Sequence, residues 1–285
     1  MKTQTELADL KNKLDGLLDA ALTDKGRIDE LMAHYRVKGL YNYSLLNSFL
    51  IACQGGSLCQ SYKRWQDLGR QVRKGERARI HIWRPASVRV KKTAEDGTKQ
   101  TEEIAANSRR AFWLVGVFDV AQTDGKPLEY DHNSAVPEHF EAGAYRAAAD
   151  RLGFPVSEEL LTGPRGYTDG KRVVLSSLSN DVDKTKTLFH ELGHCLLHFG
   201  QAAARDEDYK ATKEIEAEAV SHLCCAFFGV PFDLCQEYIS NYIAGRDKVR
   251  KAKVIKAAQT IIKAVLGQDA GATEPGTSEA ASVAA

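Results

Sequence analysis

Hydrophobic and polar positions follow two different periods along this chain, and the change of period divides it. Leu7, Leu10, Leu14, Leu17, Leu18 and Ala21 recur at helical spacing over residues 6–22, which predicts a surface helix docking one face. A second helix is expected over 26–35. The stretch Y-N-Y-S-L-L-N-S-F-L-I-A-C after Gly39 is apolar enough for a buried helix that stops at Gly55-Gly56. Period two then takes over. Residues 79–84 alternate as a strand does, with Ile80 and Ile82 facing one way, and 88–92 extend the pattern. Between 93 and 110 the chain is polar and carries one large apolar residue, Ile104, so a long hairpin loop is expected. Residues 111–121, A-F-W-L-V-G-V-F-D-V-A, form the most apolar strand of this half and are expected at the centre of its sheet.

Turn-rich residues 126–137 read as a linker. Helical spacing returns over 138–152, with Phe140, Ala144, Tyr145, Ala148 and Leu152 on one face. A loop over 163–170 and a short strand over 171–175 lead into a helix carrying T-L-F-H-E-L-G-H-C-L-L-H, residues 187–198. Further helices are expected over 213–229, through Tyr238 and Tyr242, and over 247–266, while the Gly/Ala/Ser/Glu-rich 267–285 is expected to be disordered. The implied class is α+β in two domains: 1–125, a helix-plus-antiparallel-sheet domain; 126–136, a linker; and 137–266, a mainly helical domain with a small sheet.

Chemistry concentrates in H-E-L-G-H. On a helix, His190 and His194 lie one turn apart on one face, so their ring nitrogens converge on a point that suits zinc. Leu188, Leu192, Cys195, Leu196 and Phe199 form the expected buried stripe away from them. Glu191 stands beside such a metal as a general base, the H-E-x-x-H arrangement for peptide hydrolysis. His198 lies about 12 Å beyond His190 along the helix, too far to share a tetrahedral ion, and is assigned a surface or supporting place. A third ligand is expected from K-E-I-E-A-E-A-V-S-H, where Glu214 and Glu218 share a face and Glu216 points elsewhere. Glu214 is the preferred ligand and Glu218 the carboxylate that orients a ligand imidazole. Glu216 reads as a solvated residue of an acidic first turn.

Charge adds a second candidate surface. The net charge is +1, yet residues 62–92 hold eleven Lys and Arg against two acids. Lys63, Arg64, Arg70, Arg73, Lys74, Arg77, Arg79 and Arg84 are interleaved with Tyr62, Trp65 and Trp83, the mixture of cations and rings that single-stranded nucleic acid requires. A solvated sheet edge whose tryptophans are core would show the same pattern. Six cysteines without a C-x-x-C pair point to a reducing compartment. M-K-T-Q-T-E-L-A-D-L reads as the start of an amphipathic helix and no apolar run spans a bilayer, so a cytoplasmic location without membrane partners is expected.

Two stretches carry a family resemblance. W-Q-D-L-G-R-Q-V-R-K-G-E-R, between Y-N-Y-S-L-L-N-S-F-L-I and F-W-L-V-G-V-F-D-V, resembles the N-terminal single-stranded-DNA-binding domain of ArdC-type antirestriction proteins. K-T-L-F-H-E-L-G-H-C-L-L-H with E-I-E-A-E-A-V is similar to the zincin-like metallopeptidase domain that follows it there, related to ImmA/IrrE peptidases. The resemblance implies a zinc cofactor held by His190, His194 and Glu214, the last from the E-x-x-A-E pattern, and a DNA path through Trp65, Arg70, Arg73, Lys74 and Arg77. It also implies a protein of plasmids, phages or integrated elements that coats incoming single-stranded DNA with little sequence specificity. Two alternatives belong to other classes: a DNA-directed regulatory or repair peptidase acting on a DNA-bound protein, and a purely DNA-protecting protein with an inactive zinc site. The protein substrate is not legible in the sequence.

Overall fold

The computed structural model describes residues 4–23, 25–36, 43–85, 87–93, 99–105, 112–128, 142–199, 207–231 and 250–268. They group into two compact units, one drawn from residues 1–14 and 40–130, the other from 15–39 and 131–272. The expected helix through Tyr238 and Tyr242, most of the linker and nearly all of the tail lie outside the described residues.

In the first unit, α3 (Leu45–Cys53) follows the opening helices α1 (Gln4–Thr23) and α2 (Lys25–Arg36). Ser44 caps α3 by accepting from the Asn47 amide. Next come β1 (Cys59–Gln60), the short helix α4 (Tyr62–Asp67), β2 (Arg70–Val72), β3 (Ile80–Pro85), β4 (Ser87–Thr93), β5 (Lys99–Ala105), β6 (Phe112–Asp119) and β7 (Thr123–Gly125). The apolar strand β6 is central, antiparallel to both β1 and β3. On one face Ile80, Ile82 and Val117 pack with Ile51 and Cys59; a second core joins Leu58, Trp65 and Val72. The outer edge of β3 is closed by amides: Asn47 bonds the N–H and C=O of Trp83, and Gln54 those of His81. Helix α3 therefore satisfies an edge that would otherwise present unpaired backbone groups. Part of the expected loop over 93–110 is a strand, since β5 pairs antiparallel with β4, Val88 opposite Ile104 and Arg89 opposite Glu103. Its own composition is too polar to announce this, because the strand is specified by its partner.

The second unit contains α5 (Ala142–Arg151), β8 (Val156–Glu159), β9 (Gly166–Thr168), β10 (Val173–Ser176), α6 (Asp181–His198), α7 (Glu207–Phe228) and α8 (Lys251–Val265). The fully buried β10 runs parallel to β8 and antiparallel to β9; β9 arises within the expected loop over 163–170. Helix α2 packs on α7, and Tyr35 meets the Phe227 ring. By packing, the described residues of 15–36 group with this unit. An amphipathic pattern says which face is buried but not what covers it. Tyr145, Phe189 and Phe228 form a mutual aromatic cluster between α5, α6 and α7. The packed face of α8 is Val254, Ile255, Ala258, Ile261 and Ile262.

Two glycines set the spacing around α6. A Cβ on Gly166 would lie 2.6 Å from Thr187 Cγ2, so β9 passes close against the helix only as glycine. A Cβ on Gly193 would meet Ala217 Cα at 3.1 Å, which marks the crossing of α6 and α7. Among the described residues no helix is long and apolar enough to cross a membrane.

Candidate metal centre

Asn180 starts α6 by accepting from the Asp183 amide, and Asp181 and Asp183 place negative charge at its N-terminus. Leu188, Leu192 and Cys195 are buried as the spacing requires. Phe199 is not, because the helix ends at His198 and the ring is 44% exposed; Phe189 and Leu197 are buried instead. The close crossing at Gly193 and Ala217 brings one face of α6 onto one face of α7.

There, three donors meet. His190 Nε2 lies 3.1 Å from His194 Nε2, 3.3 Å from Glu214 Oε2, and His194 Nε2 lies 3.5 Å from Glu214 Oε1. A tetrahedral ion with bonds of about 2.0–2.1 Å sets its ligands roughly 3.3 Å apart. The donor set and its spacing therefore fit a divalent metal, with side-chain atoms of all three residues within 4.8 Å of one another. Glu218 Oε2 is 2.9 Å from His190 Nδ1, the position that fixes which ring nitrogen stays free. Glu191 is buried beside the pair.

Electrostatics follow from this convergence in the metal-free chain. Burial opposes a charge on His190, but Glu214 and Glu218 outweigh it and push its pKa up to about 9. Glu214 is held well below the carboxylate range by hydrogen bonds from His190 and then His194. Glu191 is shifted upward, chiefly by burial, with both histidines opposing. A carboxyl poised upward is suited to taking and returning a proton.

Glu216 corrects the expectation of a solvated acid. Its side chain is 1% exposed and accepts from His198 Nε2 at 3.0 Å and from Arg250. The acidic run looked solvated because its partners come from elsewhere in the sequence. His198, also buried, contacts His194 Nδ1 at 2.9 Å. Nothing local to Glu216 announces Arg250; only the repeat of His at 190, 194 and 198 could have drawn attention to a third ring.

The basic stretch of the first unit is less uniform than its composition. Trp65, expected as a stacking platform, is fully buried and donates from Nε1 to Phe118 O at 2.9 Å; its ring is core. Arg70 donates to Thr123 Oγ1, Thr123 O and Lys126 O, tying β2 to β7. Arg73 donates to Ala121 O and, with Arg79, pairs Glu76. Lys63, Arg64, Lys74 and Arg77 are exposed, while Trp83 and Arg84 are half-buried on β3. Two rings stand in solvent: Tyr62, one of the expected three, at 47% exposure, and Trp113, outside that set, at 66%. Trp113 pairs across the ladder with Arg84.

The fold is α+β in two units, and the second brings His190, His194 and Glu214 together on and beside an H-E-x-x-H helix, a donor set able to hold a metal. Comparison makes the class particular. Residues 24–118 match the N-terminal domain of anti-restriction factor ArdC, and residues 150–227 match the IrrE N-terminal-like domain. The chain thus carries a domain of the ArdC N-terminal type followed by an IrrE-like domain of a peptidase family. It is 23% identical to the uncharacterized protein pXO2-81 of Bacillus anthracis over 78% of this chain, and spans 45% of that relative's length. The antirestriction ArdC protein from the R388 plasmid, solved metal-free, is 22% identical, with 80% of this chain and 86% of that one covered at a TM-score of 0.46. Its Mn(II)-bound form gives the same identity over 81% and 86%, at 0.48.

Proposed function

We propose that this protein binds single-stranded DNA with little sequence specificity through its first unit and hydrolyses peptide bonds with zinc in its second. The observation that carries the peptidase reading is the near-tetrahedral spacing of His190, His194 and Glu214 with Glu191 buried beside them. In this reading the three hold zinc and Glu218 orients His190. Zinc, when bound, supplies a water acidic enough to ionise near neutrality and polarises a carbonyl. Glu191 takes the proton at its carboxylate and delivers it to the leaving amine. Among the described residues the outer edge of β9 carries no strand, so an extended peptide can add there beside α6, with Tyr167 37% exposed on that strand.

The DNA reading rests on the matched N-terminal domain and on exposed cations. Lys63, Arg64, Lys74, Arg77 and Arg79 supply phosphate contacts, and Trp83, with Tyr62 and Trp113, offers rings for stacking. Trp65 has no part in it. Among its described residues nothing resembles a base-reading helix, which accords with low specificity. A cytoplasmic setting, where incoming DNA of a mobile element would be met, completes the proposal.

The test exposes DNA-binding proteins of a cell extract to the zinc-loaded chain and to Glu191→Gln, each with and without single-stranded DNA, and reads new peptide ends by mass spectrometry. Cuts that need both Glu191 and zinc are expected, and those that increase with DNA name the substrate. Two chains that bind DNA but leave every protein intact would overturn the peptidase half.

A further inference from the structure

The two histidines of the metal centre are supported differently. His190 is met directly by Glu218. His194 instead faces another imidazole, His198, which passes the contact to Glu216 and Arg250. We infer that His198, Glu216 and Arg250 form a positioning relay that fixes His194 for the metal and couples metal affinity to the docking of helix α8. The inference rests on the reading of His194 as a ligand.

Proton bookkeeping along the relay closes in one way. A ligand that offers Nε2 carries its proton on Nδ1. His194 Nδ1 then donates across 2.9 Å to His198 Nδ1, which must accept and so places the proton of His198 on Nε2. That nitrogen donates to Glu216 Oε2 at 3.0 Å. Each ring is neutral, each nitrogen is used, and the chain ends on a carboxylate, as metal-bound histidines generally require.

Glu216 is itself held from α8. Its Oε1 accepts the Arg250 amide at 2.8 Å and the Arg250 Nε at 3.1 Å; its Oε2 takes the Arg250 Nη2 at 2.6 Å. Arg250 is the N-cap residue of α8, so Glu216 accepts one of the backbone N–H groups at that helix start. The same Nη2 reaches Leu197 O in the last turn of α6 at 3.1 Å. One arginine thus joins the ends of α6 and α8 to the middle of α7. It also lies outside residues 150–227, the extent of the IrrE-like match.

Coupling of this kind is reciprocal, so whatever fixes His194 must steady the start of α8, and loosening α8 must weaken the metal. The full chain is titrated with zinc against a chromophoric chelator, as wild type, His198→Leu and His198→Gln, with folding checked by circular dichroism. The leucine variant should bind zinc about 10–100-fold more weakly. Glutamine, whose amide can accept from His194 and donate to Glu216, should recover most of that loss, which mere filling of space would not achieve. In the wild type, zinc should slow amide exchange at Arg250 and the first turn of α8. Equal zinc affinity in wild type and a folded His198→Leu overturns the relay. If the leucine variant fails to fold, exchange at Arg250 unchanged by zinc in the wild type overturns it alone. A wild type that binds no zinc instead removes the metal reading on which the relay stands.

Discussion

The two units use their charged residues in opposite ways. In the first, arginines are scattered: Arg70 and Arg73 bind backbone carbonyls around β7, and Arg73 and Arg79 neutralise Glu76. In the second, carboxylates converge: Glu214 and Glu218 meet His190, and Glu216 meets His198. A run of arginines is ambiguous because a guanidinium suits carbonyls as well as phosphates. Two histidines one turn apart beside a buried glutamate have far fewer structural uses. Composition therefore marks a candidate region, whereas spacing marks a candidate site.

The sharpest way to break that contrast is at Glu191. Glu191→Gln should lower turnover of a substrate identified by its new peptide ends about 10²–10⁴-fold, while zinc content by atomic absorption stays at the wild-type level. Unchanged turnover would return the second unit to a structural metal site. Next in size is Trp65→Ala, which removes a fully buried ring and its bond to Phe118 O and should cost about 3–5 kcal/mol in urea denaturation. A variant that keeps its stability but loses DNA would restore Trp65 as a contact residue. Smaller again is the pair Arg70→Met and Arg77→Gln. Loss of Arg70 leaves the carbonyl of the buried Thr123 without its guanidinium partner and should cost about 1–3 kcal/mol. Loss of exposed Arg77 should leave stability unchanged and lower the salt slope of single-stranded-DNA binding by about 0.7 in fluorescence titration.

The same distinction explains what the sequence revealed. Strong periodicity placed α1, α2, α3, α6 and α8 close to their observed spans and found α7 without its first turns, which begin at Glu207; the apolar run of β6 put it at the sheet centre. Helical geometry put His190 and His194 on one face of α6, and Glu214 and Glu218 on one face of α7, because i, i+4 spacing is a local property. Non-local partners stayed hidden. Strand β5 exists through β4, the placement of 15–36 through α7, the burial of Glu216 through Arg250, and the burial of Trp65 through Phe118 and its neighbours. In each case a residue's own pattern was unremarkable and its partner stood far along the chain.

The last difference between the units is one of sign more than size, and pH reads it directly in the metal-free chain. A hydrogen bond from Gln122, then Arg79 and Arg73, holds Glu76 below its ordinary 4.5. A depressed carboxyl contributes stability above its unfolded value and loses it as pH falls through the folded one. The gap in Tm between wild type and Glu76→Gln should therefore be open at neutral pH and close on acidification below about 4.5. His190, raised from 6.5 to about 9 against the cost of its burial, behaves in reverse. Its contribution is complete below pH 6.5 and is lost as pH rises through about 9. The gap between wild type and His190→Gln, measured with a chelator present, should close on the alkaline side. Saturating zinc should then open it again over that range, because the proton that competes for Nε2 is leaving as the metal arrives. A gap that closes with zinc as it does without would mean that the metal does not occupy the place of that proton, and the convergence on His190 would be an ion pair only.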